Sequence, residues 1–139
     1  MKASITWIEG GVFAAESGSG HGVLMNAPLT PGTATIAPSP MEYVLLGTGG
    51  CTSIDVVEIL RKGRHDVRGC VCRVEAERAE TPPKVFTRIN MHFVVTGKGL
   101  KADAVQRAID LSAEKYCSAS IMLAKTAAIS HSFELVELG

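Results

Sequence analysis

The sequence predicts an α+β fold with antiparallel sheets around one long central helix. Three observations predict the class. Short alternating or apolar segments separated by glycine-rich turns occupy residues 2–25. A helix-start signal at Ser39-Pro40-Met41-Glu42 then opens a segment that reaches Lys62. Two longer alternating runs, 67–78 and 85–97, precede a helical run and a closing strand. The expected order is βββ-α-ββ-α(α)-β, as a single domain over residues 1–139.

In the first strand, residues 2–9, Ile5 and Trp7 share a face. "EGG" at 9–11 turns the chain into Val12–Ala15, and "SGSGHG" at 17–22 turns it again into Val23–Met25. Residues 26–40 carry four of the six prolines and are expected to form a loop, long enough to be functional or to cross between subunits. Ser39 is the expected N-cap of the long helix, with Pro40 at its first position and Glu42 completing a capping box. Gly63 is the expected stop. Gly47, Gly49 and Gly50 sit in the middle of this helix, where each costs about 1 kcal/mol of propensity relative to alanine. Something must approach closely there to compensate.

In 67–78, Cys70, Cys72, Val74 and Ala76 fall on one face. "TPPK" at 81–84 turns the chain, after which Val85, Ile89, Met91, Phe93 and Val95 are expected to face the core. Residues 100–117 are helical, and the serines of "SASIMLAKTAA" offer an N-cap for a short further helix. The last strand is expected over 130–138.

Fourteen basic and fourteen acidic residues balance, which argues against a nucleic-acid or membrane-surface partner. No long apolar run reads as a membrane span, and the N-terminal residues lack the pattern of a secretory signal, so a cytoplasmic location is expected. Thiols there stay mostly reduced, so the four cysteines are not read as a disulfide framework. The spacing of Cys70 and Cys72 is not that of a zinc site; no metal and no cofactor is expected. His21, His65, His92 and His131 have no mutual spacing that implies a site.

Cys51 lies mid-helix and Cys117 at a helix junction, where a new helix N-terminus favours a thiolate. A thiolate can attack a peroxide to give a sulfenic acid, which a second cysteine converts to a disulfide. Core packing is the competing reading of the same residues. Glu42 stands nine residues before Cys51, so on one straight helix it lies on the opposite face, about 13 Å away along the axis. It would serve that thiol only from another subunit or across a broken helix.

"SPMEYVLLGTGGC", followed some way on by "AEKYCSAS", resembles the OsmC/Ohr family of osmotically inducible and organic-hydroperoxide-resistance proteins, closest to its small OsmC-like branch. The resemblance implies an intertwined homodimer with active sites at the subunit interface. It implies that Cys51 is the peroxidatic thiol, Cys117 the resolving thiol, and Glu42 the carboxylate that orients an arginine beside the thiolate. The implied reaction reduces an organic hydroperoxide to its alcohol, and a dithiol such as a lipoyl group, or a small thiol, then reduces the disulfide. The family's arginine comes from the N-terminal region, and this chain has none before Arg61. Arg61, Arg64 and His21 are the cations that could take its place. The alternative function is a non-enzymatic OsmC-like dimer that binds a small apolar ligand at the subunit interface.

Overall fold

Ala3–Glu9 (β1), Val12–Ser17 (β2) and Gly22–Asn26 (β3) form an antiparallel meander in the order β1-β2-β3. The turns are local. Gly10 adopts φ 51°, and the Trp7 indole N–H donates to the Gly10 carbonyl at 2.8 Å. Buried Asn26 fastens the proline-rich loop that follows: its amide donates to the Gly11 carbonyl, and its Oδ1 accepts the Ile36 N–H at 2.9 Å. The capping box at the start of the next helix (α1, Pro40–Lys62) is formed in both directions. The Ser39 hydroxyl accepts the Glu42 N–H and the Glu42 carboxylate accepts the Ser39 N–H, each at 3.1 Å.

The helix stop differs from expectation. Gly63 is the last cap residue, but the left-handed residue is Arg64, with φ 62°. The Arg64 N–H reaches the Arg61 carbonyl and the His65 N–H reaches the Leu60 carbonyl, which is the Schellman pairing shifted one residue on. A side chain at Gly63 would press on the His65 ring at 3.0 Å, so the glycine serves space and the arginine takes the turn.

A second sheet is built from Asp66–Arg78 (β4), Phe86–Lys98 (β5) and Ala128–Glu137 (β6), in the order β4-β5-β6. β4 and β5 are the expected antiparallel hairpin. β6, however, runs parallel to β5, so this sheet is mixed, which corrects the wholly antiparallel expectation. The reason is the connection. Ala102–Leu111 (α2), a π-helical turn at Ser112–Tyr116 and Ser118–Leu123 (α3) intervene, and a crossover of that length returns the chain to the end where β5 began. Val85 is also not a core residue: it is exposed, and Phe86 is buried instead. A register shift beside Arg78 inserts an extra residue and flips the alternation there.

The structure, a computed structural model, describes all 139 residues, which divide into two compact units, Met1–Leu46 and Gly47–Gly139. The core of the second unit joins Ile89, Met91, Phe93 and Val95 of β5 to Val105, Ala108 and Ile109 of α2 and to Val56 and Leu60 of α1. By length and composition alone α1 would reach across a bilayer. Its buried stripe of Thr48, Gly49, Thr52, Val56 and Leu60 is that of a helix packed on protein. Only one of its three mid-helix glycines is tightly packed. A Cβ on Gly49 would meet Val74 Cγ2 of β4 at 2.9 Å, whereas Gly47 and Gly50 face open space.

Candidate active site

Thr52 Oγ1 lies 3.2 Å from the Cys117 sulfur, so α1 meets the start of α3 at the two predicted thiols. The expected serine cap of α3 is replaced by Cys117 itself. Its backbone is extended, and its sulfur accepts the Ser120 N–H at 3.4 Å. The π-helical turn sets this up. The Cys117 N–H returns to the Ser112 carbonyl at 2.8 Å, and the buried Ser112 hydroxyl donates to Asp55 Oδ2 at 2.8 Å. That bond ties the turn to α1, one helical turn beyond Cys51. π-helical insertions of this kind often serve functional sites.

The two thiols lie close enough to act on each other, and their environments differ in sign. Burial raises the Cys51 thiol, the Ala119 N–H opposes that rise, and the neighbouring Cys117 and the Asp55 carboxylate add to it; the thiol stands above its ordinary value. Burial would raise Cys117 as well. The Ser120 hydroxyl, the Thr52 hydroxyl, the Ser120 N–H and Cys51 together outweigh it, and Cys117 stands below its ordinary value. The buried Ser120 hydroxyl has no hydrogen-bond partner, so its effect on the sulfur is that of a nearby dipole. Accessibility runs the other way: Cys117 is 0% exposed, while Cys51 is half-buried. The pair therefore sets an accessible sulfur whose thiol is held above its ordinary value beside an enclosed one held below it.

Of the three residues singled out in the sequence, Cys51 and Cys117 come together, while the hydrogen bonds of the exposed Glu42 are those of the capping box. No cation is among the groups that act most strongly on either thiol; the charged group near Cys51 is Asp55. Thr52, Asp55, Ser112 and Ser120 were not read from the sequence. The spacing Cys117-x-x-Ser120 was a signal for a cap, but cysteine is not a usual cap residue. Cys70 and Cys72 are half-buried on the face of β4 that packs on α1; burial raises both thiols, with the Ser53 hydrogen bond easing Cys72.

A family model described as OsmC-like protein matches residues 32–132. Protein YhfA of Escherichia coli strain K12 is 53% identical over 136 residues, which cover 98% of each chain. A solved structure described as structural genomics is 51% identical, with a TM-score of 0.90 over 99% of this chain and 100% of that one. The organic hydroperoxide resistance protein OhrB of Bacillus subtilis shares the fold, with a TM-score of 0.64 at 16% identity over 96% of this chain and 98% of that one. Two thiols paired between a glycine-interrupted helix and a cysteine-capped helix, on a fold matched across nearly its whole length, agree with the resemblance drawn from the motifs: the chain belongs to the OsmC-like family.

Proposed function

We propose that the protein reduces organic hydroperoxides in oxidative-stress defence, with Cys51 as the peroxidatic thiol and Cys117 as the resolving thiol. The observation that carries this is the thiol pair itself: an accessible thiol beside an enclosed sulfur that the Thr52 hydroxyl and the Ser120 N–H favour as thiolate. Cys117 takes the proton of Cys51, and the Cys51 thiolate attacks the terminal peroxide oxygen. A sulfur–oxygen bond forms and the oxygen–oxygen bond breaks. The departing alkoxide takes the shared proton and leaves as the alcohol. The Cys117 thiolate then attacks the Cys51 sulfenic acid, forming the disulfide and expelling hydroxide. A dithiol such as a lipoyl group, or a small thiol, restores both cysteines.

In this proposal the chain is one OsmC-like domain that works as a cytoplasmic homodimer; the family match at 32–132 runs across both compact units. Glu42 is assigned, from the partner subunit, the orienting of a cation at the thiolate. With no arginine before Arg61, and with the Asp55 carboxylate beside Cys51, the peroxidatic thiolate is the minor form, so the rate falls below that of arginine-containing relatives. Mass spectrometry after stoichiometric cumene hydroperoxide tests the cycle. Wild type gives the Cys51–Cys117 disulfide, Cys117→Ser traps a sulfenic acid on Cys51, and Cys51→Ser consumes no peroxide. Thiols that survive excess peroxide for hours at neutral pH overturn it. A second reading, binding of a small apolar ligand, draws on a hollow of about 820 Å³ beside α1 lined by Ile54, Val57 and Cys70, with Arg61 and Lys62 at its edge.

A further inference from the structure

We propose that Thr52, together with the Ser120 N–H, is a positioning residue that holds Cys117 as the departing sulfur when the Cys51–Cys117 disulfide is opened, so that the reductant adds to Cys51. The disulfide rests on the thiol-peroxidase reading above. The geometry is that of a donor set already in place. The Thr52 side chain is 0% exposed and its single hydroxyl proton has two destinations: the Thr48 carbonyl and the Cys117 sulfur, each at 3.2 Å. A sulfur in a disulfide is a poor acceptor, so in the oxidised protein the proton points to Thr48. As the bond breaks, charge grows on the Cys117 sulfur, and the proton swings to it with no movement of heavy atoms. The Ser120 N–H at 3.4 Å is aimed there throughout. Donors placed in advance where charge develops lower the barrier without reorganisation.

Cys51 is served differently. The Ala119 N–H is its one backbone donor, and the Asp55 carboxylate opposes charge on it. The better leaving sulfur is the one with the more stabilised thiolate, and leaving-group stability sets the rate of thiol–disulfide exchange. Access points the same way, since the enclosed Cys117 offers no approach to an external thiol while Cys51 does. The step balances. A reductant thiolate attacks the Cys51 sulfur, a mixed disulfide forms there, and the electron pair of the broken bond stays on Cys117. The second thiol of a dithiol then closes on the reductant's own sulfur and frees Cys51 as the thiolate.

The full-length protein is oxidised with diamide, which joins the two cysteines whether or not the protein is a peroxidase, and is then opened with 2-mercaptoethanol or dithiothreitol. Mass spectrometry is expected to find the mercaptoethanol adduct on Cys51 with Cys117 free. Opening by dithiothreitol is expected to be roughly tenfold or more slower in Thr52→Val, which keeps the shape and loses the donor, and near the wild-type rate in Thr52→Ser. An adduct on Cys117, or equal rates in wild type and Thr52→Val, overturns the proposal; should Thr52→Val not fold, the position of the adduct in wild type decides. Failure of diamide to join the pair also overturns it. A disulfide formed by diamide but never by hydroperoxide instead overturns the peroxidase reading and leaves the role of Thr52 readable.

Discussion

Cys117 has no exposure and yet is the sulfur that favours the thiolate, because hydrogen-bond donors reach it from α1 and from α3 at once. Gly49 is the residue that lets α1 lie close against β4. A methyl group there meets Val74 Cγ2 at 2.9 Å, and Val74 lies on a paired strand that cannot withdraw freely. Gly49→Ala is expected to destabilise by about 1–3 kcal/mol through overpacking, which outweighs the gain of about 1 kcal/mol in helix propensity. Chemical denaturation measures the difference. Both cysteines were singled out in the sequence, one by the glycines beside it and the other by its helix junction, and the fold brings them together. Thr52 and Ser120 were not. Their importance lies in pointing at one sulfur from two elements, and a single chain of letters does not show which side chains converge.

At the scale of elements, caps were the most legible feature, because they depend on residues within one turn of each other. The Ser39–Glu42 box was read directly, and Ser39→Ala is expected to cost about 0.5–2 kcal/mol. Glu42→Gln keeps much of the box while removing the charge; it is expected to leave stability nearly unchanged and to alter the reactivity of Cys51 toward hydroperoxide. The C-terminal stop was misread by one residue because Gly63 is the better left-handed residue on paper. Arg64→Gly is expected to stabilise by about 0.5–1 kcal/mol, since a left-handed conformation costs an L-residue that much or more. The parallel direction of β6 was less legible still: alternation tells which residues share a face and says nothing of direction. β6 also carries a half-buried base. His131 stacks on Phe93 at 6.4 Å, and burial lowers its pKa below the ordinary 6.5, against a partial rise from Asp110 of α2. With the folded value below the unfolded one, the unfolded chain binds more protons as pH falls through 6.5, so stability drops there and is level above. Thermal melts between pH 7 and 5 are expected to show that drop, and His131→Leu to flatten it.

For the whole molecule, element order and class were legible from periodicity, and the division into two compact units was not, because its boundary falls inside a helix that continues through it. That helix also carries the argument for assembly. One face of α1, with Thr48, Gly49, Thr52, Val56 and Leu60, is buried in the protomer. Gly47, Gly50, Ile54 and Val57 recur at the three-and-four spacing of a helix–helix seam on another face, and nothing in the protomer lies within 4 Å of a Cβ at either glycine. Ile54 is 67% exposed, a large apolar side chain in open solvent mid-helix. Small residues followed by branched apolar ones let two helices approach closely and then interlock. We expect a homodimer in which this seam meets its copy. Sedimentation at micromolar concentration is expected to give a dimer for wild type. Ile54→Glu places two like charges across the seam and is expected to shift the equilibrium toward monomer by more than tenfold. If Cys51 draws its cation from the partner, the same change slows hydroperoxide reduction in step with dimer loss, whereas a monomeric wild type would remove the helix seam from the account altogether.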